Sequence, residues 1–151
     1  MSEEPAVRMA PPPAALLRVL NPVFRRLLRS RLADRMPAAM AVLEFTGRRS
    51  ARPFAVPVGV HDVPGGPVVF AEGRWAVNFE GGREVTLVRG RTRRHGRGTR
   101  VHDPGAVATA LGVALARVGA RNLAMKAAPG RRVTHDDLLR LGRGMVRLDL
   151  D

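Results

Sequence analysis

The feature that most constrains the fold is a series of short segments between residues 40 and 102 in which apolar and polar side chains alternate. Alternation of this kind is typical of β-strands that bury one face. Gly65-Gly66 and Gly81-Gly82 mark turns, and the links between segments are of hairpin length. Consecutive strands joined this way indicate an antiparallel meander or a small barrel. The predicted strands cover residues 40–46, 54–61, 67–72, 84–89 and 91–102.

Two capped helices are predicted after these strands. Asp103 has the character of an N-cap and Pro104 that of a first helical residue, which predicts a helix through about residue 118. Thr134 and Asp137 have the spacing of a capping box for a second helix, which is expected to end near residue 142 or 144. Residues 145–151 alternate again and predict a final strand that pairs back into the sheet.

The segment 16–35 combines apolar side chains at helical spacing with arginines on the opposite face. Asn21-Pro22 is predicted to break it into two helices. Such a basic amphipathic helix either packs its apolar stripe on the core or lies on an anionic membrane surface. The pattern favours packing, and peripheral attachment to the inner face of the membrane is the alternative.

The predicted fold class is α+β, with mainly antiparallel β-structure. The predicted architecture is a barrel with an N-terminal amphipathic helix and two or three helices before a final strand. A chain of 151 residues has the size of one domain. Residues 1–13, rich in proline, are predicted to be a disordered tail, and a single domain is predicted over 14–151. The chain shows no secretory signal and no apolar stretch of membrane-spanning length, so we expect a cytoplasmic location.

The formal net charge of +13 indicates a polyanionic partner. Arginine supplies 25 of the 26 basic residues, and this bias in composition makes the charge a weak indicator of nucleic acid. Aromatic side chains, which stack on bases in nucleic-acid modules, make up only 4% of the chain, so nucleic acid is not the favoured partner. The chain has no cysteine and no helix-spaced histidine pair, so no metal site is predicted.

The turn between the first two predicted strands carries Thr46-Gly47-Arg48-Arg49-Ser50, followed by Arg52. Glycine permits a positive φ, so the backbone can reverse here and aim its N–H groups outward. Arginine side chains grip phosphate or carboxylate oxygens with paired hydrogen bonds. The motif therefore indicates an anion-binding turn, and the alternative is a hairpin turn with solvated arginines.

This order of elements and motifs resembles the deazaflavin-dependent nitroreductase and quinone reductase family of split β-barrel proteins, which are related to FMN-binding barrels. The likeness runs from about residue 21 to the C-terminus. It rests on three motifs: Thr46-Gly47-Arg48-Arg49-Ser50, Phe54-Ala55-Val56-Pro57-Val58-Gly59, and Trp75-Ala76-Val77-Asn78-Phe79.

The resemblance implies a shallow groove that holds a deazaflavin (coenzyme F-420), whose phosphate and oligoglutamate tail need cations. Arg48, Arg49 and Ser50 would meet the charged tail, and Trp75 with Asn78 would lie across the site. Phe54, Ala55, Val56, Pro57, Val58 and Gly59 would line the edge of the ring. The loop before Trp75 is shorter than in the better-studied branch of the family, and Arg74 is expected to substitute there.

The leading interpretation is a deazaflavin-dependent oxidoreductase that transfers a hydride to a quinone-like or other lipophilic acceptor, with a homodimer as a further expectation. No catalytic residue is identified: Ser50, His61 and His95 are candidate proton donors, and the tyrosine of the well-studied nitroreductases is absent. Two alternatives stay open. One is an FMN-type flavin-binding protein, and the other a non-catalytic module that binds a cofactor, lipid or nucleic acid.

Overall fold

The computed structural model describes residues 5–10, 14–36, 38–71 and 74–151, with backbone only for 14–20 and 74. Its helices are α1 (Ala14–Leu28), α2 (Pro104–Val118) and α3 (His135–Leu141), and short 3-10 helices cover Arg31–Arg35, Arg74–Phe79 and Arg121–Leu123. The strands are β1 (Val7–Met9), β2 (Met40–Thr46), β3 (Pro53–Gly59), β4 (His61–Val63), β5 (Gly66–Ala71), β6 (Arg83–Arg89), β7 (Thr92–Val101), β8 (Met125–Ala127) and β9 (Gly144–Leu150).

Seven strands form one antiparallel sheet in the order β3-β2-β6-β7-β9-β5-β4. Its two edge strands, β3 and β4, are separated in the chain by Val60 alone. The sheet must therefore curl until its edges meet, and the result is a split β-barrel. The predicted fold class is confirmed, although the order is not that of a meander because β9 inserts between β7 and β5.

Apolar side chains are buried on both faces of this sheet. The interior of the barrel contains Leu43, Phe45, Val58, Val69, Phe79, Val85, Val146 and Leu148. On the outer face α2 and α3 cover β5 and β9, through residues such as Leu111, Leu138, Phe70 and Met145. Burial contributes about 25 cal/mol per Å² of apolar surface removed from water, so the apolar side chains on the two faces of the sheet are the main source of folding stability.

The predicted caps are present. The Asp103 side chain accepts a hydrogen bond from the Gly105 N–H at the start of α2, and Thr134 and Asp137 form a reciprocal capping box for α3. The final strand pairs with both β7 and β5, as its alternation indicates. Local sequence signals therefore placed these elements correctly, because each depends on neighbouring residues alone.

The N-terminal segment differs from the sequence expectation in two ways. α1 continues through Pro22, since a proline removes one backbone hydrogen bond while the ladder on either side continues. The helix ends instead before Ser30, whose hydroxyl accepts from the Leu32 N–H and caps the following 3-10 turn. No helix among the described residues is long and apolar enough to cross a membrane.

The predicted tail is ordered where the structure describes it, at residues 5–10. Val7–Met9 pairs with β8, and Ala6 and Val7 are buried, so this part of the disorder prediction is wrong. A partner strand so far along the chain leaves no signal in the local composition. Residues 1–4 and 11–13 lie outside the described part of the chain.

Candidate functional site

The turn between β2 and β3 is closed by backbone hydrogen bonds. The Gly47 N–H donates to the Arg52 carbonyl over 2.8 Å, and the Ala51 N–H donates to the Gly47 carbonyl over 3.2 Å. The positive φ falls on Ala51, at 54°, rather than on Gly47, so that expectation is wrong. Gly47 is needed for space instead, because a Cβ there would lie 2.5 Å from Ser50 Oγ and 2.8 Å from the Phe54 ring.

The arginines of this turn point into solvent. Arg48, Arg49 and Arg52 are all exposed, and within the described residues their guanidinium groups make no hydrogen bond or ion pair. Ser50 is exposed as well, and its hydroxyl accepts from the Arg52 N–H over 3.3 Å. Unpartnered guanidinium groups keep all their N–H donors for an external anion.

Asn78 holds the turn in place. Its Oδ1 accepts from the Arg48 N–H over 2.8 Å, and its Nδ2 donates to the Trp75 carbonyl over 2.8 Å. Arg83, which the sequence did not single out, donates from Nε to the Asn78 carbonyl over 3.1 Å and from Nη1 to Thr46 Oγ1 over 3.3 Å. Asn78 therefore acts mainly as a positioning residue that locks the arginine turn onto the Arg74–Phe79 segment.

Four of the chain's six aromatic residues meet beneath the turn. Phe45 stacks on Phe54 at 5.5 Å and on Trp75 at 6.1 Å between ring centroids, and Trp75 meets Phe79 edge-on at 5.8 Å. Trp75 is half-buried in this cluster, which is the position of a core anchor. Phe54 is the outermost ring and is 42% exposed, so it offers an aromatic surface to a ligand.

A surface groove of about 660 Å³ lies beside these residues. We call it the Arg48 groove, and its lining consists of Arg48, Arg49, Ser50, Phe54, Val77, Asn78 and Glu80. Its volume lies within the range of small-molecule sites. The groove combines cations with apolar surface, since Val77 is 46% exposed there.

Glu80 brings a carboxylate to the groove that sequence reasoning missed. It accepts from Arg100 Nη1 over 2.8 Å and lies 2.5 Å from His102 Nε2. The hydrogen bond with His102 is the main reason that the pKa of Glu80 is lowered from its ordinary 4.5, and Arg100 adds to the effect. Arg100 and His102, which contact this carboxylate, are not themselves among the residues that line the groove.

The remaining predicted residues are not brought to the groove. Val56 and Val58 face the barrel interior, while Ala55 packs on the side of Leu28. Pro57 and Gly59 continue along β3, away from the turn, so only Phe54 of that set lines the groove. The side chain of Arg74 is outside what the structure describes, as are residues 72–73.

The candidate proton donors are spread over the molecule. Ser50 lies at the groove, whereas His95 is on β7, where its Nδ1 lies 2.9 Å from Thr86 Oγ1. His61 is the first residue of β4 and follows Gly59, which pairs with Met40 at the start of β2. It therefore lies at the far end of β2 from the arginine turn. In the described part of the chain, no group of three or more acidic or histidine side chains is placed to hold a metal ion.

Comparisons with known proteins leave the family open. Neither the protein-family models nor the curated proteins contain a match to this chain. Among solved structures, the chain is similar to HutZ, the heme storage protein from Vibrio cholerae. That likeness has 14% sequence identity and a TM-score of 0.48, and it covers 86% of this chain and 87% of HutZ. At these values nothing about ligand or activity follows, and the fold assignment rests on the strand order above.

Proposed function

We propose that the Arg48 groove binds a deazaflavin (coenzyme F-420) and that the protein is a deazaflavin-dependent oxidoreductase. The observation that supports this most is the placement of Arg48 and Arg49, whose guanidinium groups have no partner among the described residues, beside the exposed face of Phe54. A ligand with a flat ring and an anionic tail uses both features at once.

The residues of the groove fit the needs of such a ligand. Arg48 and Arg49 would hold phosphate or carboxylate oxygens, with Ser50 as a further hydrogen-bond partner. The backbone of the turn is preorganised, because the Asn78 amide and the closed 47–52 hydrogen bonds hold the residues that carry the arginines in place before binding. Arg52, also unpartnered within the described residues, stands beside them and suits a tail with several charges.

When bound, the deazaflavin supplies the hydride, so the protein's task is to hold and shield it. Phe54 and Val77 provide apolar surface at the open side of the groove, where a quinone-like or other lipophilic acceptor could pack. Near neutral pH the described lining offers no effective general acid, because the Ser50 hydroxyl and the arginines are too weakly acidic and Glu80, whose pKa is lowered, is already ionised. We therefore expect hydride transfer with protonation of the product by solvent.

FMN is the second candidate, and Glu80 is the observation that favours it. A carboxylate in the lining reduces the anionic charge that the groove can accept, and FMN has a single phosphate in place of an oligoglutamate tail. The two candidates differ in how many arginines they need. Removal of Arg52, which stands outside the lining, should weaken binding of the longer tail and leave FMN binding unchanged.

A peripheral membrane role and a homodimer are further proposals about partners. Val23 and Leu32 are exposed apolar side chains on the N-terminal segment, at 50% and 44% exposure, with Arg26, Arg31 and Arg35 exposed near them. Arg25 and Arg29 instead bond within the molecule, to the Ala55 carbonyl and to Glu44. A lipid surface that presents the acceptor would contact the first group of residues.

The test is a fluorescence titration of the protein with oxidised coenzyme F-420, run beside FMN. The double variant R48A/R49A should weaken binding of the preferred cofactor by about tenfold or more, since each charged hydrogen bond contributes about 1.5–3 kcal/mol. The matched control is R91A/R132A, which removes the same charge from two exposed arginines outside the groove.

The two double variants distinguish direct contact between the cofactor and Arg48 and Arg49 from attraction by the net charge of the protein. Equal weakening in both would mean that net charge alone attracts the cofactor, and the groove would not be the site. Binding of neither cofactor to the wild-type protein would overturn the proposed function. Tight FMN binding with weak F-420 binding would replace the first candidate with the second.

A further inference from the structure

A second cavity, of about 620 Å³, lies at the opposite end of the barrel. We call it the His61 cavity. It is bounded by the start of β2 at Met40, the start of β4 at His61 and the end of β9 at Leu150. Met40 and Thr46 are the two ends of β2, so at about 3.3 Å per residue this cavity is about 20 Å from the Arg48 groove. The two sites are therefore separate.

The walls of the His61 cavity are mostly apolar. Val60, Leu87 and Leu150 extend the apolar interior of the barrel to this end, and Ala114 and Val118 add the last turn of α2. An apolar lining of this size accommodates the hydrocarbon part of a small ligand.

His61 is the polar side chain that needs explanation here. It is 9% exposed, and it makes no hydrogen bond within the described residues. No fully buried side-chain nitrogen or oxygen in that part of the chain lacks a partner, so the ring nitrogens of His61 keep some accessible surface, and the residue lines the cavity. Leaving such a group without a partner is costly, and a ligand or water in the cavity would satisfy it.

The surroundings of His61 favour the neutral form of the imidazole. Its ring packs against Phe70 at 5.6 Å between centroids, and burial lowers its pKa from 6.5, with a further lowering by Arg143 and a smaller opposing effect of Asp62. A neutral imidazole has one N–H donor and one acceptor nitrogen. It can therefore donate a hydrogen bond to an anionic or carbonyl oxygen without carrying a charge.

Two arginines of the lining can supply the charge. Arg117 on α2 donates one hydrogen bond to the Asp62 carbonyl, and Arg94 donates from Nε and Nη2 to the Asp151 oxygen over 3.2 Å each. Each guanidinium has five N–H donors, so donors remain on both. Arg89 supports the wall by bonding three backbone carbonyls, and Asp34 and Asp62 are the acidic residues of the lining.

We propose that the His61 cavity is a second ligand site, which takes a small amphipathic anion with an apolar body and one terminal acidic group. The apolar body would lie on Val60, Leu87 and Leu150. Arg117 or Arg94 would hold the acidic group, and His61 would donate its N–H to the ligand.

The experiment is calorimetric titration with three probes of equal chain length: decanoate, decyl phosphate and decanol. Decanoate or decyl phosphate should bind, and decanol should bind at least about tenfold more weakly because it offers no charge to the arginines. The acid that binds more tightly identifies the head group. If decanol binds as well as both acids, or if no probe binds, the proposal is overturned.

Variants locate the binding. H61F keeps a ring against Phe70 and should weaken decanoate binding by about five- to tenfold, which corresponds to one lost hydrogen bond. R117M should weaken it further, whereas R48A/R49A at the other end of the barrel should leave it unchanged. Unchanged binding in both H61F and R117M would overturn the assignment to this cavity.

A second measurement does not depend on the variants folding. In the wild-type protein, the imidazole resonances of His61 should shift when decanoate is added, while those of His135, which is exposed on α3, should stay in place. A His61 signal that does not respond to saturating decanoate would contradict the proposal as clearly as an unaffected variant.

Discussion

Two regions of this protein are rich in arginine and use it in opposite ways. In the β6–β7 hairpin most arginines bond within the molecule: Arg89 donates to three backbone carbonyls, Arg93 to Glu44, Arg94 to Asp151 and Arg97 to Gly81. In the 47–52 turn the guanidinium groups have no partner among the described residues. Internal partners, rather than the density of charge, therefore distinguish arginines that stabilise the fold from those that keep all their donors for a ligand.

The largest effect that tests this comparison is expected at Arg89. Its guanidinium donates to the carbonyls of Met40, Ala33 and Met36 over 2.5, 2.8 and 3.0 Å, and so ties the Arg31–Arg35 segment to the sheet. R89A should lower the free energy of unfolding by about 2–4 kcal/mol, because it leaves partly buried carbonyls without donors. Urea denaturation measures this change.

The matched control is R48A/R49A, which should change the same free energy by less than about 0.5 kcal/mol. Similar losses in both variants would mean that the arginines of the turn have structural partners after all. The comparison between the two regions would then fail.

A smaller loss of stability is expected at Asn78, which contacts both Arg48 of the turn and Arg83 of β6. N78A removes one accepted and one donated hydrogen bond, and should lower stability by about 1–2 kcal/mol while also weakening cofactor binding at the groove. N78D keeps the acceptor for the Arg48 N–H and loses the donor to the Trp75 carbonyl, so it should fall between N78A and the wild type.

Thermal unfolding and the F-420 titration, run on the same three proteins, check this prediction. A stability of N78A equal to that of the wild type would show that the turn does not depend on Asn78. A loss of stability with unchanged cofactor binding would separate Asn78 from the site.

The smallest expected effect is the part of the pH dependence of stability that comes from Glu80. Its folded-state pKa lies below the unfolded value of 4.5, so the unfolded chain takes up its proton first as the pH falls. The stabilisation is therefore complete above about pH 4.5 and is lost as the pH falls through the folded-state pKa. E80Q should lack this component, and its stability should approach that of the wild type at low pH.

Urea denaturation of both proteins across this pH window measures the difference. A constant difference between E80Q and the wild type at all pH values would show that the ionised form of Glu80 contributes nothing through Arg100 and His102. Asp137, whose pKa is also lowered, chiefly by the Thr134 backbone, titrates in both proteins and cancels from the comparison.

At the groove, residues that are adjacent in the chain could be grouped from the sequence, and residues that come from other segments could not. Arg48, Arg49 and Ser50 are adjacent in the chain, and the structure keeps them together on one turn. Glu80 and Arg83 were missed because they approach from another segment, and neither has a sequence signal that distinguishes it from a solvated charge. The expectation of a positive φ at Gly47 was wrong because the need for glycine came from Phe54, a residue that folds back onto it.

The same limit applies to the strands. The ends of β2 and β6 were predicted to within one residue. In contrast, β1, β4 and β8 were not predicted, since each has only three residues and depends on its partner strand. His61 was predicted at the end of β3, and in fact it is the first residue of β4 and lines the second cavity.

By itself, the sequence determined the longer strands, the capped helices and the class of the fold, because alternation, helix caps and turn glycines act through neighbours a few residues apart. It also determined which residues form the arginine turn. Only the tertiary structure decided where β9 enters the sheet, which aromatic ring stays exposed and which arginines keep their donors free. These outcomes depend on contacts between residues far apart in the chain, and the free energy of such contacts exists only once the barrel has closed.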